Sequence, residues 1–126
     1  MNNRRIIVSK FGGAENLRII EEEIPVPDAH EVRVKILTAG VSLADILICE
    51  GIHPESMFKR TPFSLGWDIV GIVDKVGEKV SKTSTWQIGD SVAALPIVGD
   101  TLNTYVFLLT SSCRFLPGWT PLMPLA

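Results

Sequence analysis

The sequence predicts a mainly β domain, an antiparallel barrel or sandwich that also contains one short helix. Residues 31–36 (EVRVKI) alternate polar and apolar side chains, which is the period of a strand with one buried face. Further short runs are rich in β-branched or aromatic residues, and turn residues separate them. These runs are residues 4–9, 17–24, 69–76, 91–95 and 104–109. Many short strands with turns between them are typical of an antiparallel barrel or sandwich.

The short helix is predicted over residues 43–50, where apolar side chains recur at helical rather than strand spacing. Ser42 is a suitable N-cap, and Asp45 follows three residues later in a capping-box-like position. Gly51 suits the C-terminal end of the helix, because glycine readily adopts the left-handed conformation found there.

Length and composition limit the classes of function. The 126 residues suit one domain, and the net charge of −2 comes from mixed acids and bases, which argues against a nucleic-acid partner. No stretch has the length and apolarity of a signal peptide or a membrane span, so we expect a cytoplasmic protein without membrane contact. Cys49 and Cys113 form no CxxC pair and His30 and His53 stand alone, so a metal site of soft ligands is not expected.

The apolar content, at 46%, is high for so small a domain, and we expect part of the apolar surface to meet another domain or subunit. Three glycines at positions 66, 71 and 77 are predicted to be bend or bulge points in one long strand that wraps a small barrel, with ordinary turn glycines as the alternative. GxGxxG is absent, and Ile72-Val73 follows Gly71 where a P-loop has Lys-Ser/Thr. The chain by itself therefore shows no nucleotide-binding motif.

The order of four segments carries a resemblance to a known family. They are AGVSLADILICEG (39–51), TPFSLGWDIVGIVDKVGEKV (61–80), IGDSVAAL (88–95) and TYVFL (104–108). Together they resemble the N-terminal, GroES-like catalytic domain of the medium-chain dehydrogenases/reductases, and most of all the zinc-independent quinone oxidoreductases. The resemblance runs from about residue 4 to residue 118. It implies that residues 1–126 form a GroES-like, partly open antiparallel β-barrel with one or two short helices.

The resemblance also implies a two-domain enzyme, in which such a barrel packs against a Rossmann domain and the active site lies in the cleft between them. The Rossmann domain, which would bind NADPH, is absent from this chain. We therefore expect a fragment that is inactive without its cofactor domain, or a natural chain that lacks that half. NADPH rather than NADH follows from the tendency of the family alone. The oligomeric state stays open, a homodimer being one alternative.

The residues at two motif positions indicate whether the chain can bind catalytic zinc. In the zinc alcohol dehydrogenases of this superfamily, a cysteine that binds catalytic zinc follows the AGV-like tripeptide, and a later motif reads Gly-His-Glu. Here the corresponding residues are Ser42 and Gly66-Trp67-Asp68. A hydroxyl and an indole are not useful zinc ligands, so we expect no zinc. Without a Lewis acid, reduction of a quinone or an α,β-unsaturated carbonyl is favoured, because the developing charge spreads over a conjugated system.

The resemblance implies roles for five side chains, and each role has a structural alternative. Ser42 would be catalytic and contact the cofactor, or serve only as N-cap; Asp45 would bind the cofactor, or complete the capping box. His53 would be catalytic and bind substrate, or lie in a surface loop. Trp67 would form an apolar wall for the substrate, or fill the core. Asp68 would be catalytic and pair with a group of the missing domain, or only brace its turn.

The alternative function is a non-catalytic GroES-like module for binding or dimerisation. Its exposed apolar face would meet a neighbour, and the apolar, proline-rich segment 117–126 (PGWTPLMPLA) would dock there. Cofactor binding distinguishes the two interpretations, because the module needs none.

Overall fold

The structure is a computed structural model, which describes residues 2–80 and 86–95 together with the backbone of residues 105–109. Those ranges contain β1 (Asn3–Val8), β2 (Leu17–Glu22), β3 (Glu31–Ala39), α1 (Leu43–Glu50), β4 (Phe63–Ser64), β5 (Ile69–Val76), β6 (Ser91–Ala94) and β7 (Tyr105–Leu109). Two 3₁₀-helices span Ala14–Asn16 and Pro54–Phe58. The predicted mainly β class with a short helix is confirmed. None of the helices described is long and apolar enough to cross a membrane.

The strands form two antiparallel sheets. The three-stranded sheet has the order β2-β1-β4, and the four-stranded sheet has the order β6-β5-β3-β7. In the first sheet, β1 pairs with β2 along its whole length, and the short β4 adds to the other edge of β1. In the second sheet, β3 lies between β5 and β7. Segment 110–126, which includes the predicted docking segment 117–126, lies outside the described residues.

Each sheet supports its own apolar cluster. In the four-stranded sheet the alternation predicted for β3 places Val32 and Val34 in the core. The second cluster joins α1 to the three-stranded sheet, and its buried members are Val8, Ile48, Cys49 and Leu65. Helix α1 is therefore held against β1 and the residues after β4 by burial of its apolar face.

The pairing of β3 with β5 shifts by one residue beside Arg33, and this leaves Asp74 as an extra residue on β5. The Arg33 guanidinium donates two parallel hydrogen bonds to Asp74, from Nε to Oδ1 and from Nη2 to Oδ2, both at 2.8 Å. Its Nη1 donates to the carbonyl oxygen of Pro25 at 2.8 Å. Because the pair is largely buried and bidentate, it ties the bulge to the proline-containing connection before β3.

The three glycines predicted as bends differ in what requires them. Gly66 has a φ of +112°, which agrees with a bend before β5. At Gly71 a Cβ atom would lie 2.5 Å from the carbonyl oxygen of Lys35, and at Gly77 it would lie against the carbonyl oxygens of Asp28 and Ala29. Gly71 lies beside the second register shift between β3 and β5, which agrees with a bulge there, whereas Gly66 and Gly77 lie outside β5 (Ile69–Val76) and not within one long strand. At Gly71 and Gly77 the close approach of neighbouring backbone also excludes a side chain.

We predict that Gly77→Ala lowers the free energy of unfolding by about 1–3 kcal/mol, because the added methyl group displaces two backbone carbonyls. Gly13→Ala is the control: Gly13 has a φ of −76°, and its added Cβ would meet only the flexible carboxylate of Glu15. Its effect should stay within about 0.5 kcal/mol. Urea denaturation of both variants measures the difference, and equal losses would contradict the explanation.

Candidate functional site

Four of the five predicted site residues lie around the N-terminal end of α1, where the end of β3 meets the turn before β5. Ser42 and Asp45 come from the start of the helix, and Trp67 and Asp68 come from the turn. The Gly66 N–H donates a hydrogen bond to Asp45, and the Gly40 N–H donates one to Asp68; these bonds hold the two segments together. The site is therefore assembled by long-range contacts.

Asp45 is the centre of this arrangement. Its side chain is only 2% exposed, and its carboxylate accepts three hydrogen bonds. Oδ2 accepts from the backbone N–H of Ser42 at 2.8 Å and from the Ser42 hydroxyl at 2.9 Å. Oδ1 accepts from the backbone N–H of Gly66 at 3.0 Å. A buried carboxylate is stable only with such donors, and these three saturate much of its accepting capacity.

Local sequence explains why these donors converge. Ser42 has the extended backbone of an N-cap, with φ −112° and ψ 168°, and Asp45 occupies the third helical position as in a capping box. Gly66 adopts a φ of +112°, a conformation that residues with a Cβ rarely take. The capping box was predicted from the sequence, whereas the bond to Gly66 spans 21 residues and was not.

Asp68 lies directly over the backbone of Gly40. The Gly40 N–H donates to the Asp68 carbonyl oxygen at 3.2 Å, and a Cβ on Gly40 would lie 2.6 Å from Oδ1 of Asp68. Its carboxylate is exposed to solvent. Trp67, in contrast, is half-buried and packs against the cluster that joins α1 to the three-stranded sheet. The core role weighed for Trp67 is thus present in the structure, while part of the ring remains accessible.

His53 lies at the opposite end of α1. Its backbone N–H donates to the carbonyl oxygen of Leu47 at 3.2 Å. Its Nδ1 accepts a hydrogen bond from the backbone N–H of Glu55 at 3.1 Å and caps the second 3₁₀-helix. In the neutral ring this bond places the proton on Nε2, which is then a hydrogen-bond donor. None of the contacts that link the residues around Asp45 includes His53 in the described part of the chain.

A cavity of about 260 Å³ lies on the side of α1 that faces β1. Its wall is mainly apolar and includes Ile6, Leu17, Ile46, Cys49 and Leu65. Of the predicted site residues, Asp45 alone contributes to it. Sequence reasoning did not find this cavity, although the Gly12-Gly13 pair that closes one side was visible as a turn between the first two strands.

Cys49 joins the helix to that glycine turn. Its Sγ donates to the carbonyl oxygen of Gly12 at 3.4 Å, and the Gly12 N–H donates to the Cys49 carbonyl oxygen at 2.9 Å. Burial raises the pKa of the Cys49 thiol, and the negative charges of Glu50 and Glu15 raise the pKa further. Cys49 is therefore held as a thiol rather than a reactive thiolate, which agrees with its predicted packing role.

The described ranges contain no group of three or more His, Cys, Asp or Glu side chains placed to hold a metal ion. At the two positions that correspond to zinc ligands in the zinc alcohol dehydrogenases, the Ser42 hydroxyl donates to Asp45 and the half-buried Trp67 packs against the apolar cluster around α1. Both side chains are thus engaged within the chain.

We predict that Asp45→Asn lowers the free energy of unfolding by about 2–3 kcal/mol. An amide offers one accepting oxygen, so its NH₂ group must face either the Ser42 N–H or the Gly66 N–H. Asp68→Asn is the matched control, because this carboxylate is exposed, and should change stability by less than about 0.5 kcal/mol. Chemical denaturation compares the two, and a larger loss for Asp68→Asn would contradict the central role of Asp45.

We predict slow alkylation of Cys49 in a Cys113→Ser background. At pH 8 iodoacetamide should react roughly tenfold more slowly with the folded chain than with the chain in urea, because a raised pKa leaves less thiolate. The rate of the folded chain should also level off at a higher pH. Glu50→Gln should speed the reaction and Glu55→Gln should not; equal rates in both variants would contradict the proposed influence of Glu50.

The comparisons with known proteins identify the family of the chain. Residues 28–115 match the family model of the alcohol dehydrogenase GroES-like domain. The chain is 33% identical to a quinone oxidoreductase of Lama guanicoe over 116 residues, which cover 91% of this chain and 34% of that protein. It is 42% identical to an alcohol dehydrogenase class-3 of Myxine glutinosa over 81 residues, which cover 64% of this chain and 20% of that protein.

Among solved structures, the chain resembles the Escherichia coli quinone oxidoreductase complexed with NADPH, with a TM-score of 0.76 and 26% identity. The match covers 90% of this chain and 33% of that one. The chain thus spans about a third or less of the length of these relatives. It belongs to the alcohol dehydrogenase GroES-like domain family, the N-terminal domain of the medium-chain dehydrogenases/reductases, and is close to the quinone oxidoreductases.

Proposed function

We propose that this chain is the substrate-side domain of an NAD(P)H-dependent oxidoreductase that reduces a quinone or an α,β-unsaturated carbonyl without catalytic zinc. The observation that carries the proposal is the hydrogen bond from the Ser42 hydroxyl to Asp45. Ser42 occupies the position of a zinc-binding cysteine in the zinc dehydrogenases. Its hydroxyl donates to a buried carboxylate, so it offers no anionic ligand to a metal. The likeness to quinone oxidoreductases supports the same branch, although an alcohol dehydrogenase is also among the relatives.

We propose that an NAD(P)-binding domain outside this chain holds the cofactor, as the greater length of the relatives suggests. When bound, NADPH supplies a hydride. Without that domain the chain would be inactive.

Whether a side chain donates a hydrogen bond, accepts one or is apolar decides the role that we propose for it. Reduction of a conjugated carbonyl places negative charge on oxygen, which a hydrogen-bond donor stabilises. His53 can fill this role, because the bond to Glu55 leaves its proton on Nε2. Trp67 would line the apolar part of the substrate site. Asp68, an exposed acceptor, would pair with a donor of the cofactor domain.

The predicted role of Asp45 in cofactor binding becomes an indirect one. Both of its oxygens are engaged by donors of the chain itself. We propose that Asp45 acts on a bound cofactor through Ser42, whose exposed side chain it holds, and not by direct contact.

A second candidate, the binding or dimerisation module, has one observation in its favour. Several large apolar side chains around α1 and the second 3₁₀-helix are exposed, including Leu43 at 69%, Met57 at 84% and Phe58 at 87%. Such a surface suits an interface. In the oxidoreductase it would face the cofactor domain, and in the module it would face a second copy in a homodimer.

The test is NADPH oxidation by the complete product of the gene with 1,4-naphthoquinone as acceptor. We expect the product to continue past Ala126 into a cofactor domain, and the oxidation to persist after treatment with a zinc chelator. The isolated 126 residues should neither bind NADPH nor oxidise it. Zinc-dependent alcohol oxidation would contradict the proposal, and a stable dimer of the complete product without NADPH binding would favour the module.

A further inference from the structure

The Ser42 hydroxyl has a fixed direction. A serine hydroxyl carries one proton and two lone pairs, so it can donate only one hydrogen bond at a time. Here the proton is directed at Oδ2 of Asp45, 2.9 Å away. Because the acceptor is a buried carboxylate, this is a charge-assisted bond that is costly to give up. The capping box also directs the backbone N–H of Asp45 at the Ser42 hydroxyl oxygen, which leaves one lone pair. Because Ser42 is exposed, this remaining lone pair is what it offers to a bound molecule.

Asp68 supplies a second acceptor near this end of α1. It is exposed, it lies over Gly40, and Gly40 is two residues before Ser42. A carboxylate accepts hydrogen bonds and donates none. A molecule bound at this end of α1 therefore meets two oxygen acceptors. An oxygen on which negative charge develops would be repelled there, whereas an N–H or O–H group would be bound.

We propose that Asp45 is a positioning residue that makes Ser42 a hydrogen-bond acceptor, so that Ser42 recognises an N–H or O–H group, such as a primary amide, of the bound molecule. This rests on the proposed function for the identity of the site. It places the reducible carbonyl oxygen away from Ser42, and it gives Ser42 a part in orienting the bound molecule rather than in stabilising charge.

The first experiment measures the hydroxyl direction in the 126-residue chain, without cofactor. NMR should detect a slowly exchanging Ser42 hydroxyl proton and a downfield Gly66 amide proton in the unaltered chain. Asp45→Asn should shift the Gly66 amide signal upfield. Ser42→Ala should leave that signal in place, because it keeps the backbone N–H and removes only the hydroxyl. A rapidly exchanging Ser42 hydroxyl would overturn the proposal, even if Asp45→Asn fails to fold.

The second experiment measures recognition with two probes of similar shape. Nicotinamide carries amide N–H groups, and methyl nicotinate has an ester in their place. In NMR titrations of the complete gene product without NADPH, nicotinamide should perturb the backbone amide signal of Leu43, next to Ser42, with roughly threefold to tenfold higher affinity than the ester, the value of one neutral hydrogen bond. Ser42→Ala should abolish the preference. An equal response to the two probes, whether both bind or neither does, would overturn the proposal.

The two experiments separate this inference from the proposed function. Reductase activity tests the function, whereas the hydroxyl signal and the probe preference need no turnover. Absence of activity together with a protected hydroxyl and a preference for the amide would reject the oxidoreductase and retain the acceptor role of Ser42. Activity together with an outward-pointing hydroxyl would retain the oxidoreductase and reject the acceptor role of Ser42.

Discussion

The arrangement of this domain around its candidate site depends on one buried carboxylate. Among the residues described, Asp45 is the only carboxylate in the buried class, and it accepts hydrogen bonds from two segments that are distant in sequence. It begins the helix by engaging Ser42, and it holds the turn before β5 through Gly66. Burial of a charge is unfavourable unless donors compensate for it, and this requirement is what brings the two segments into register.

The sequence contained enough information for the parts of the fold that obey local rules. Alternating side chains located β3, and the pair Ser42 and Asp45 located the start of α1, because strand period and helix capping depend on neighbours within a few residues. The two-residue β4 escaped prediction, since two residues show no period. The resemblance of motifs to a family supplied the barrel class, which periodicity alone had left open between barrel and sandwich.

The site itself was only partly predictable. Four of the predicted residues, two from each of two short segments, lie around one end of α1, but the contacts between the segments depend on approaches across the fold. The bond from Gly66 to Asp45 and the contact of Asp68 with Gly40 have no local signature. The same holds for Gly71 and Gly77, where the excluded Cβ would meet backbone from other segments. A structural role does not exclude a functional one at the same residue. Ser42 caps the helix and is still exposed, so its side chain can also meet a bound molecule.

The pair of hydrogen bonds between Cys49 and Gly12 has a mechanical consequence. They attach the glycine turn to one end of α1, while Ser42 stands at the other end of the same eight-residue helix, about 12 Å away. The turn between β1 and β2, far from any predicted site residue in sequence, is therefore joined to Ser42 through the length of one helix.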